Sequence, residues 1–276
     1  MLCLPCYNHL MTLSVIVLSR NVASEIIPTL KSARFAPEII LVDTGSTDDT
    51  LKVARPYVHK IIKTSGQDFA AWRNLGASAA TSDWLLYLDS DERLPKPLAE
   101  EILSTINNPK HQAYTIPRYE ILLGRHLSHW PDSRVLRLIK KSALKKWVGR
   151  LHEQPQIEGS IGKLHQSLVH LTHKNIDEKV LNTLNWSALE AKLLFDAHHP
   201  PMKGWRFWRI LLTEFFMRFI KQELWRDGVE GNIEIIYQMF SRFLTYVRLW
   251  EMQRSPTLKE TYANIDKKIL QEWKEK

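Results

Sequence analysis

The sequence has little cysteine and no long apolar run. Its two cysteines, Cys3 and Cys6, both lie in the first six positions. A pair so isolated lacks the helix of a redox motif and the second ligand pair of a zinc site, so we expect no disulfide framework and a reducing compartment. No uninterrupted apolar run reaches the roughly 18 residues of a membrane-spanning helix. No basic segment precedes the first apolar stretch, as it would in a secretory signal. We therefore expect neither a membrane-spanning helix nor a secretory signal.

Glycine-rich phosphate loops are also missing. Neither G-x-G-x-x-G nor G-x-x-x-x-G-K-[ST] occurs, which excludes the usual dinucleotide and P-loop sites. The charge is basic, with 38 Lys and Arg against 30 Asp and Glu and a net charge of +8. Such a balance suits an anionic partner such as a nucleotide, a phospholipid surface or nucleic acid, and does not choose among them.

Strand and helix patterns alternate over the first ninety residues. Apolar runs predict strands over 13–19, 38–43, 59–64 and 84–89, with helices over 25–34, after Gly45 and over 68–80. Continuous hydrophobicity in the strands predicts a parallel α/β sheet covered on both faces. The pattern is mixed from about 110 to 173 and helical after 175. We therefore expect a flexible extension over 1–11, an α/β domain over 12–175 and a helical region over 176–276.

Acidic residues crowd the end of the fourth predicted strand, in WLLYLDSDERL (84–94). Asp89 and Asp91 stand two apart, so in extended chain they point the same way at the carboxyl edge of the sheet. Carboxylates that close repel unless a cation lies between them, and hard oxygen ligands suit Mg²⁺ or Mn²⁺. The alternative makes Asp91 and Glu92 helix-start acids favoured by the helix dipole, an interpretation that suits Glu92 best.

A second acidic stretch, DTGSTDDT (43–50), follows the second predicted strand. Ser46 and Asp49 have the spacing of a capping box, and acids in a first helical turn would repel a diphosphate. A nucleotide diphosphate here would therefore have to be held by a metal. Asp43 lies at the sheet edge, where it can accept hydrogen bonds from a base or ribose; a turn-forming role before Gly45 is the alternative.

Four stretches, SVIVLSRN, ILVDTGSTDDT, DFAAWRN and WLLYLDSDE, in this order and spacing resemble the family-2 glycosyltransferases. These are inverting enzymes with the GT-A fold, and the resemblance is strongest to the branch with β-glucosyltransferases of lipopolysaccharide core. It covers residues 12–175 well and the helical tail less specifically. It implies an α/β fold, a GT-A-type Rossmann-like mixed sheet flanked by helices, with a C-terminal helical extension. The chain lacks Q-x-x-R-W and so does not resemble processive synthases.

The resemblance implies a UDP-sugar donor, a saccharide or lipid-linked glycan acceptor and a role for particular residues. Asp89 and Asp91 match the metal-binding D-x-D pair, and Asp43 matches the acid that reads the uracil. The other residues expected at the substrate are Arg20, Asn21, Arg73, Asn74 and Ser90. For Arg73 a solvated helix face is an equal alternative.

The same resemblance assigns the base and a further metal ligand. His152-Glu153 matches the H-E pair found where the catalytic base is expected. An inverting transfer needs one base to take the proton of the acceptor hydroxyl, and Glu153 is the predicted one, with Glu158 as a nearby competitor. His170 matches a late histidine that completes the metal shell. A structural histidine, or a zinc cluster of the three histidines in this region, is the alternative.

The helical tail contains an aromatic and basic stretch over 203–231 that predicts one amphipathic helix. Such a helix suits a membrane interface, with cationic side chains against anionic headgroups, or packs on the catalytic domain. We expect a cytoplasmic enzyme, peripheral on the cytoplasmic face of the inner membrane.

Two other classes of function are weighed against the enzyme. One is a basic nucleic-acid-binding protein, but no nucleic-acid motif occurs and three acids at the sheet edge would repel a phosphate backbone, so we expect no nucleic-acid partner. The other is an inactive GT-A scaffold at the membrane. The acids expected at the active site are all present in the sequence, which argues against an inactive protein.

Overall fold

The computed structural model describes residues 12–66, 68–131, 133–149, 153–173 and 175–273. Its contacts divide the chain into two compact units. The sheet unit comprises Met1–Ile121 with Asp132–Thr172, and the helical unit comprises Leu122–Pro131 with His173–Lys276. The predicted extension over 1–11, with both cysteines, lies outside the described residues. So does His152.

The elements follow one another in mixed order. The strands are β1 Leu13–Ser19, β2 Glu38–Asp43, β3 Lys60–Lys63, β4 Trp84–Asp89, β5 Glu92–Arg93, β6 Ala113–Leu122, β7 Arg125–His126, β8 Ser133–Lys140, β9 Leu144–Val148, β10 Gln154–Ile157, β11 Ile161–Lys163 and β12 Leu168–Thr172. The α-helices are α1 Ile26–Ser32, α2 Thr50–Ala54, α3 Phe69–Ala79, α4 Lys96–Asn107, α5 Ile176–Asp196, α6 Gly204–Phe215, α7 Gly228–Met252 and α8 Leu258–Glu272. Short 3₁₀ turns cover Arg55–Tyr57, Lys141–Ala143 and Leu224–Asp227, and a π-helical segment covers Phe216–Lys221.

The sheet is parallel at one end and mixed at the other. Its strands run in the order β3-β2-β1-β4-β8-β6-β12-β5. β1 pairs in parallel with β2 and β4, whereas β8 runs antiparallel to β4 and β6 antiparallel to β8. β9 and β10 form a separate antiparallel pair. The predicted mixed α/β sheet with a C-terminal helical extension is confirmed.

Both faces of the sheet are buried. Every residue of β1 is buried, and alternate side chains of this strand enter different cores. Val15 and Val17 pack with residues of α1 and α4, whereas Ile16 packs with residues of α3. Because the strand is covered on both sides, its sequence is continuously apolar instead of alternating.

The loop between β2 and α2 is built differently from the predicted capping box. α2 begins at Thr50, and Asp49 makes no side-chain cap hydrogen bond. Asp48 instead accepts from the backbone N–H of Thr50 at 3.0 Å and of Ala23 at 3.1 Å. The Ser46 hydroxyl is bonded to Asp43. The capping-box prediction is wrong because the Ser46 hydroxyl is used by Asp43, while Asp49 is exposed and lies 3.9 Å from Lys52 within α2.

The helical unit has a core of its own. α5 and α6 both pack against α7, around Ala191, Met202 and Leu249. A buried ion pair joins Lys179 of α5 to Glu234 of α7. None of the helices within the described ranges combines the length and apolar character needed to cross a bilayer.

The prediction of a single helix over 203–231 is wrong. The α-helix ends at Phe215 and its π-helical continuation at Lys221, after which the chain turns. Glu223 has φ 53° and Gly228 has φ 78°, both in the left-handed region. Positive φ breaks a right-handed helix, so a second helix, α7, starts here.

The segment 122–131 belongs to the helical unit although it lies within the range predicted for the sheet domain. Asp227 holds it, accepting from the Ser128 hydroxyl at 2.6 Å and from the backbone N–H of His129 at 2.9 Å. The His129 ring nitrogen Nδ1 lies 2.9 Å from the same carboxylate. Burial opposes ionisation, but these bonds outweigh it and hold the pKa of Asp227 below its usual value.

We expect Asp227→Asn to lower the free energy of unfolding by about 1–3 kcal/mol at neutral pH. The side-chain NH₂ of asparagine would replace one carboxylate oxygen and would face the donor of Ser128 or His129. A depressed carboxyl pKa contributes stability above the unfolded-state value of about 3.9 and loses it as the pH falls through the folded-state value. The difference from wild type in urea unfolding should therefore shrink on acidification. Asp266→Asn, at an exposed position of α8, is the control. A difference independent of pH would contradict the ionic origin.

Candidate active site

The predicted acids lie at the carboxyl edge of the parallel strands. Ser19 pairs with Asp43 across β1 and β2, and Leu18 pairs with Asp89 across β1 and β4. Three neighbouring strands therefore end together beside α3. The edge is the one where open α/β sheets bind ligands.

Asp43 is buried, and its carboxylate is used by the loop that follows it. It accepts from the backbone N–H of Ser46 at 3.0 Å and of Gly45 at 3.3 Å, and from the Ser19 hydroxyl at 3.3 Å. Gly45 has φ 102°, a conformation that favours glycine. The turn-forming role of Asp43 is therefore present in the structure. Its role toward a uracil stays a prediction.

Arg20 and Asn21 follow β1 and are exposed. The side-chain oxygen of Asn21 accepts from the backbone N–H of Thr47 at 2.7 Å. The backbone N–H of Asn21 donates to the Ser46 hydroxyl at 3.0 Å. Asn21 has φ 52°, which asparagine tolerates better than most residues. Asn21 thus joins the loops after β1 and β2 at the rim of the site.

Arg73 lies in α3 with 3% of its side chain exposed, so the solvated-face alternative is wrong. Its Nη2 donates to Asp89 Oδ1 at 3.0 Å and its Nε to Glu153 Oε1 at 2.7 Å. The guanidinium carbon lies 5.0 Å from the Trp147 ring centroid and 5.7 Å from that of Tyr87. Arg73 therefore links the end of β4 to the predicted base.

Arg137 of β8, which the sequence analysis missed, completes the network. It is buried, bonds the second oxygen of Asp89, and lies 2.9 Å from Glu92 Oε1. Its signal in the sequence is that Arg137 stands between Leu136 and Leu138, in the apolar part of a predicted strand that leaves no solvent for a charge. We define the charge network as Arg73, Asp89, Glu92, Arg137 and Glu153.

Glu92 is fully buried in β5, and its Oε2 accepts from the backbone N–H of Asp89 at 2.9 Å. α4 begins only at Lys96 and carries no acid in its first turn. The interpretation of Glu92 as a helix-start acid is therefore wrong. The reason is that β5 pairs with β12 before the helix begins.

The electrostatics of the network follow from burial and charge. Burial alone would raise the pKa of Asp89, but Arg137 and Arg73 outweigh it and hold that pKa far below its usual value. Burial raises the pKa of Glu92, with Arg137 opposing and Asp89 and Asp91 adding to the rise. Burial would lower the pKa of Arg137, but its two carboxylates raise it. The Arg137 guanidinium therefore remains charged, and Asp89 remains a carboxylate.

Asp89 and Asp91 do not stand in one extended segment. β4 ends at Asp89, and residues 90 and 91 form a turn before β5. The premise that both side chains point the same way along a strand is therefore wrong, and the two acids have different partners. Asp89 is held by two arginines, whereas 40% of the Asp91 side chain is exposed and His170 is its neighbour.

His170 lies between two carboxylates. Its Nε2 is 3.3 Å from Asp91 Oδ2, and its Nδ1 is hydrogen-bonded to Glu120, which Arg118 pairs at 2.7 Å. Burial would lower the pKa of His170, but the bonds to Asp91 and Glu120 raise it to about 10. His165 is exposed and bonds Glu101 instead, so the histidine-cluster alternative is wrong.

Asp91 and His170 are the side chains at this edge that could hold a metal ion at an open site, with the imidazole losing its proton on binding. Across the described ranges, no three His, Cys, Asp or Glu side chains come together as a metal-binding group. A hard cation held by one carboxylate and one imidazole keeps positions for water and phosphate oxygens, as Mg²⁺ and Mn²⁺ commonly do. A closed structural zinc site of four protein ligands is excluded for the same part of the chain.

The remaining predicted residues differ in their surroundings. Glu153 is mostly buried beside Arg73, whereas Glu158 is exposed and pairs with Lys145 at 2.6 Å. Asn74 exchanges two hydrogen bonds with the backbone of Trp147, at 2.8 and 3.0 Å, and so fastens α3 to β9. The Ser90 carbonyl accepts from Thr29 and Arg93.

Comparison with known proteins defines the class. The chain belongs to glycosyl transferase family 2, whose family model matches residues 14–157. The predicted family is therefore confirmed.

Relatives extend over nearly the whole chain. The chain is 25% identical over 256 residues to "Lipopolysaccharide core biosynthesis glycosyltransferase LpsC" of Rhizobium meliloti, covering 87% of this chain and 92% of that protein. It is 24% identical over 258 residues to an uncharacterized glycosyltransferase of Rickettsia felis, covering 87% and 89%. Among solved structures, S. aureus TarS 1–349 in complex with UDP-GlcNAc has a TM-score of 0.48 at 13% identity and 92% coverage of each chain.

We expect Arg137→Met to lower the free energy of unfolding by about 3–5 kcal/mol, because it leaves Glu92 as an uncompensated buried charge. Adding Glu92→Leu should recover more than half of that loss, since the stranded carboxylate is then gone. Urea unfolding of both variants measures the effect. Arg55→Met, at an exposed position, should stay within about 0.5 kcal/mol of wild type. No recovery in the double variant would show that the loss is one of packing.

Proposed function

We propose that the protein is an inverting hexosyltransferase that moves a sugar from a UDP-sugar to a saccharide of a lipid-linked envelope glycan of the lipopolysaccharide core type. One observation carries the proposal: the buried Arg73 joins Asp89 at the end of β4 to Glu153. Family membership and the similarity to LpsC over 87% of the chain support the reaction class and the acceptor class. We infer a peripheral location on the cytoplasmic face of the inner membrane.

The donor side of the site is the carboxyl edge of β1, β2 and β4. Asp43, Arg20 and Asn21 lie in the loops at this edge and are assigned to the uridine. Asp91 and His170 would hold Mg²⁺ or Mn²⁺, which when bound neutralises charge on the pyrophosphate. Asp89 matches the metal-binding pair in sequence, but both of its oxygens are on arginines, so we assign it to positioning Arg73 and Arg137 beside the donor.

The acceptor side is Glu153. The acceptor oxygen attacks the anomeric carbon as the bond from that carbon to the UDP oxygen breaks, and UDP leaves with the bonding electrons. Glu153 takes the proton of the acceptor hydroxyl. Arg73 holds Oε1 of Glu153 at 2.7 Å, which fixes the direction of the carboxylate and leaves Oε2 as the proton acceptor we assign. Attack opposite the leaving group inverts the configuration without a covalent intermediate.

UDP binding tests the donor side. We expect calorimetry to show that the wild-type protein binds UDP in Mn²⁺ and loses that binding with a chelator. The reason is that the protein has no glycine-rich loop to hold the diphosphate without a metal. Asp91→Asn should weaken Mn²⁺-dependent binding about tenfold or more. Asp266→Asn, at an exposed position of α8, is the matched control. Equal binding with and without metal would contradict the donor site, and binding of RNA in place of UDP would overturn the enzyme assignment.

Transfer kinetics test the base. We expect Glu153→Gln to lower kcat by about 10²–10⁴-fold, since the amide cannot accept the proton, while Mn²⁺-dependent UDP binding persists. Wild type and variants would be assayed with a panel of UDP-sugars on extracted glycolipid, with the anomeric configuration of the product read by NMR. Glu158→Gln should retain near-wild-type kcat. The assignment fails if Glu158→Gln carries the loss, or if the product retains the donor configuration.

A further inference from the structure

The helix α6 and the first residue of its π-helical continuation present four large apolar side chains to solvent. They are spaced three or four apart along one face, and 56–69% of each is exposed. We call this set the aromatic face: Trp205, Trp208, Leu212 and Phe216. Exposed apolar residues are ordinary when single, but a contiguous set on one helix face marks a surface that binds something.

The opposite face of α6 is already packed. Phe207 and Ile210 lie against the core that contains Leu249 of α7. The rings of Phe207 and Phe243 meet edge to face with centroids 5.8 Å apart. The helix is therefore fixed in its own unit by one side. The aromatic face is what remains after that packing is satisfied.

The rim of the aromatic face is cationic. The guanidinium carbons of Arg206 and Arg209 lie 5.1 and 5.5 Å from the Trp205 ring centroid. Residues 203–221 contain five basic residues and one acid, Glu214, which pairs with Arg218 and Arg242. Among the described residues, neither arginine on Trp205 has a carboxylate within 4.0 Å. Two positive charges therefore flank the apolar surface without an anion of their own.

We propose that the aromatic face docks on an anionic phospholipid bilayer, with α6 lying parallel to the membrane surface. Indole rings favour the boundary between headgroups and acyl chains, and guanidiniums favour headgroup phosphates. A second copy using the same face would bring like charges of Arg206 and Arg209 together, which disfavours a symmetric dimer. With twelve residues, α6 is far too short to span a bilayer. The proposal does not rest on the glycosyl-transfer assignment.

Vesicle flotation of the full chain, without donor or acceptor, tests the proposal. We expect wild type to float with phosphatidylcholine vesicles that contain phosphatidylglycerol, and much less with pure phosphatidylcholine or at high salt. Leu212→Ser should weaken partitioning about tenfold, because a leucine that enters the interface loses its apolar burial. Arg209→Glu should weaken it about as much on the anionic vesicles and little on the neutral ones.

Matched controls separate the face from general effects. Leu181→Ser removes a leucine that is 61% exposed on α5, against 65% for Leu212, and Arg55→Glu makes the same charge change on the sheet unit. Both should float like wild type, with unchanged circular dichroism in all variants. The proposal is overturned if wild type stays with the buffer, if Leu212→Ser and Leu181→Ser behave alike, or if light scattering shows a wild-type dimer that Leu212→Ser dissociates.

Discussion

The site depends on two buried guanidiniums that share one carboxylate. Arg73 and Arg137 each take one oxygen of Asp89, and each also holds a glutamate, Glu153 and Glu92 respectively. Burying ions is expensive unless each one is paired and hydrogen-bonded. Each guanidinium has two carboxylate partners, drawn from several elements, so the end of β4 cannot shift without breaking ion pairs elsewhere. Rigidity at this point fixes the direction of Glu153.

The same network explains why two acids of one short motif behave differently. Asp89 is neutralised by protein cations, so it is already satisfied before any ligand arrives. Asp91 lies one turn further on, partly exposed, with His170 beside it and Glu120 behind the histidine. A hydrogen bond from the second ring nitrogen to a carboxylate is how histidine ligands are usually oriented. The tertiary structure thus separates a carboxylate held by two arginines from one that is partly exposed beside a histidine.

The helical unit adds a different property. α6 is anchored through Phe207 and Ile210 and leaves an apolar face with a cationic rim. The aromatic face and the charge network belong to separate units, and each can be altered without changing the other's residues.

Several features follow from the sequence alone. The runs at 13–19, 38–43 and 84–89 coincide with β1, β2 and β4, because strands buried on both faces must be apolar throughout. Asp43 and Asp89 stand at strand ends because each is the first charged residue after an apolar run, and the run is what predicts the strand. The family, too, is legible in the order and spacing of four short stretches.

Only the tertiary structure decided which charges meet. The partners of Arg73 lie 16 and 80 residues away along the chain, and those of Arg137 lie 48 and 45 residues away. No local sequence pattern extends over such separations. The burial of Arg73, the pairing of Glu92 and the turn that parts Asp89 from Asp91 were all decided at this level. Local periodicity reports how a segment meets water, whereas an ion pair requires two distant segments to be placed together, and that placement is a property of the whole fold.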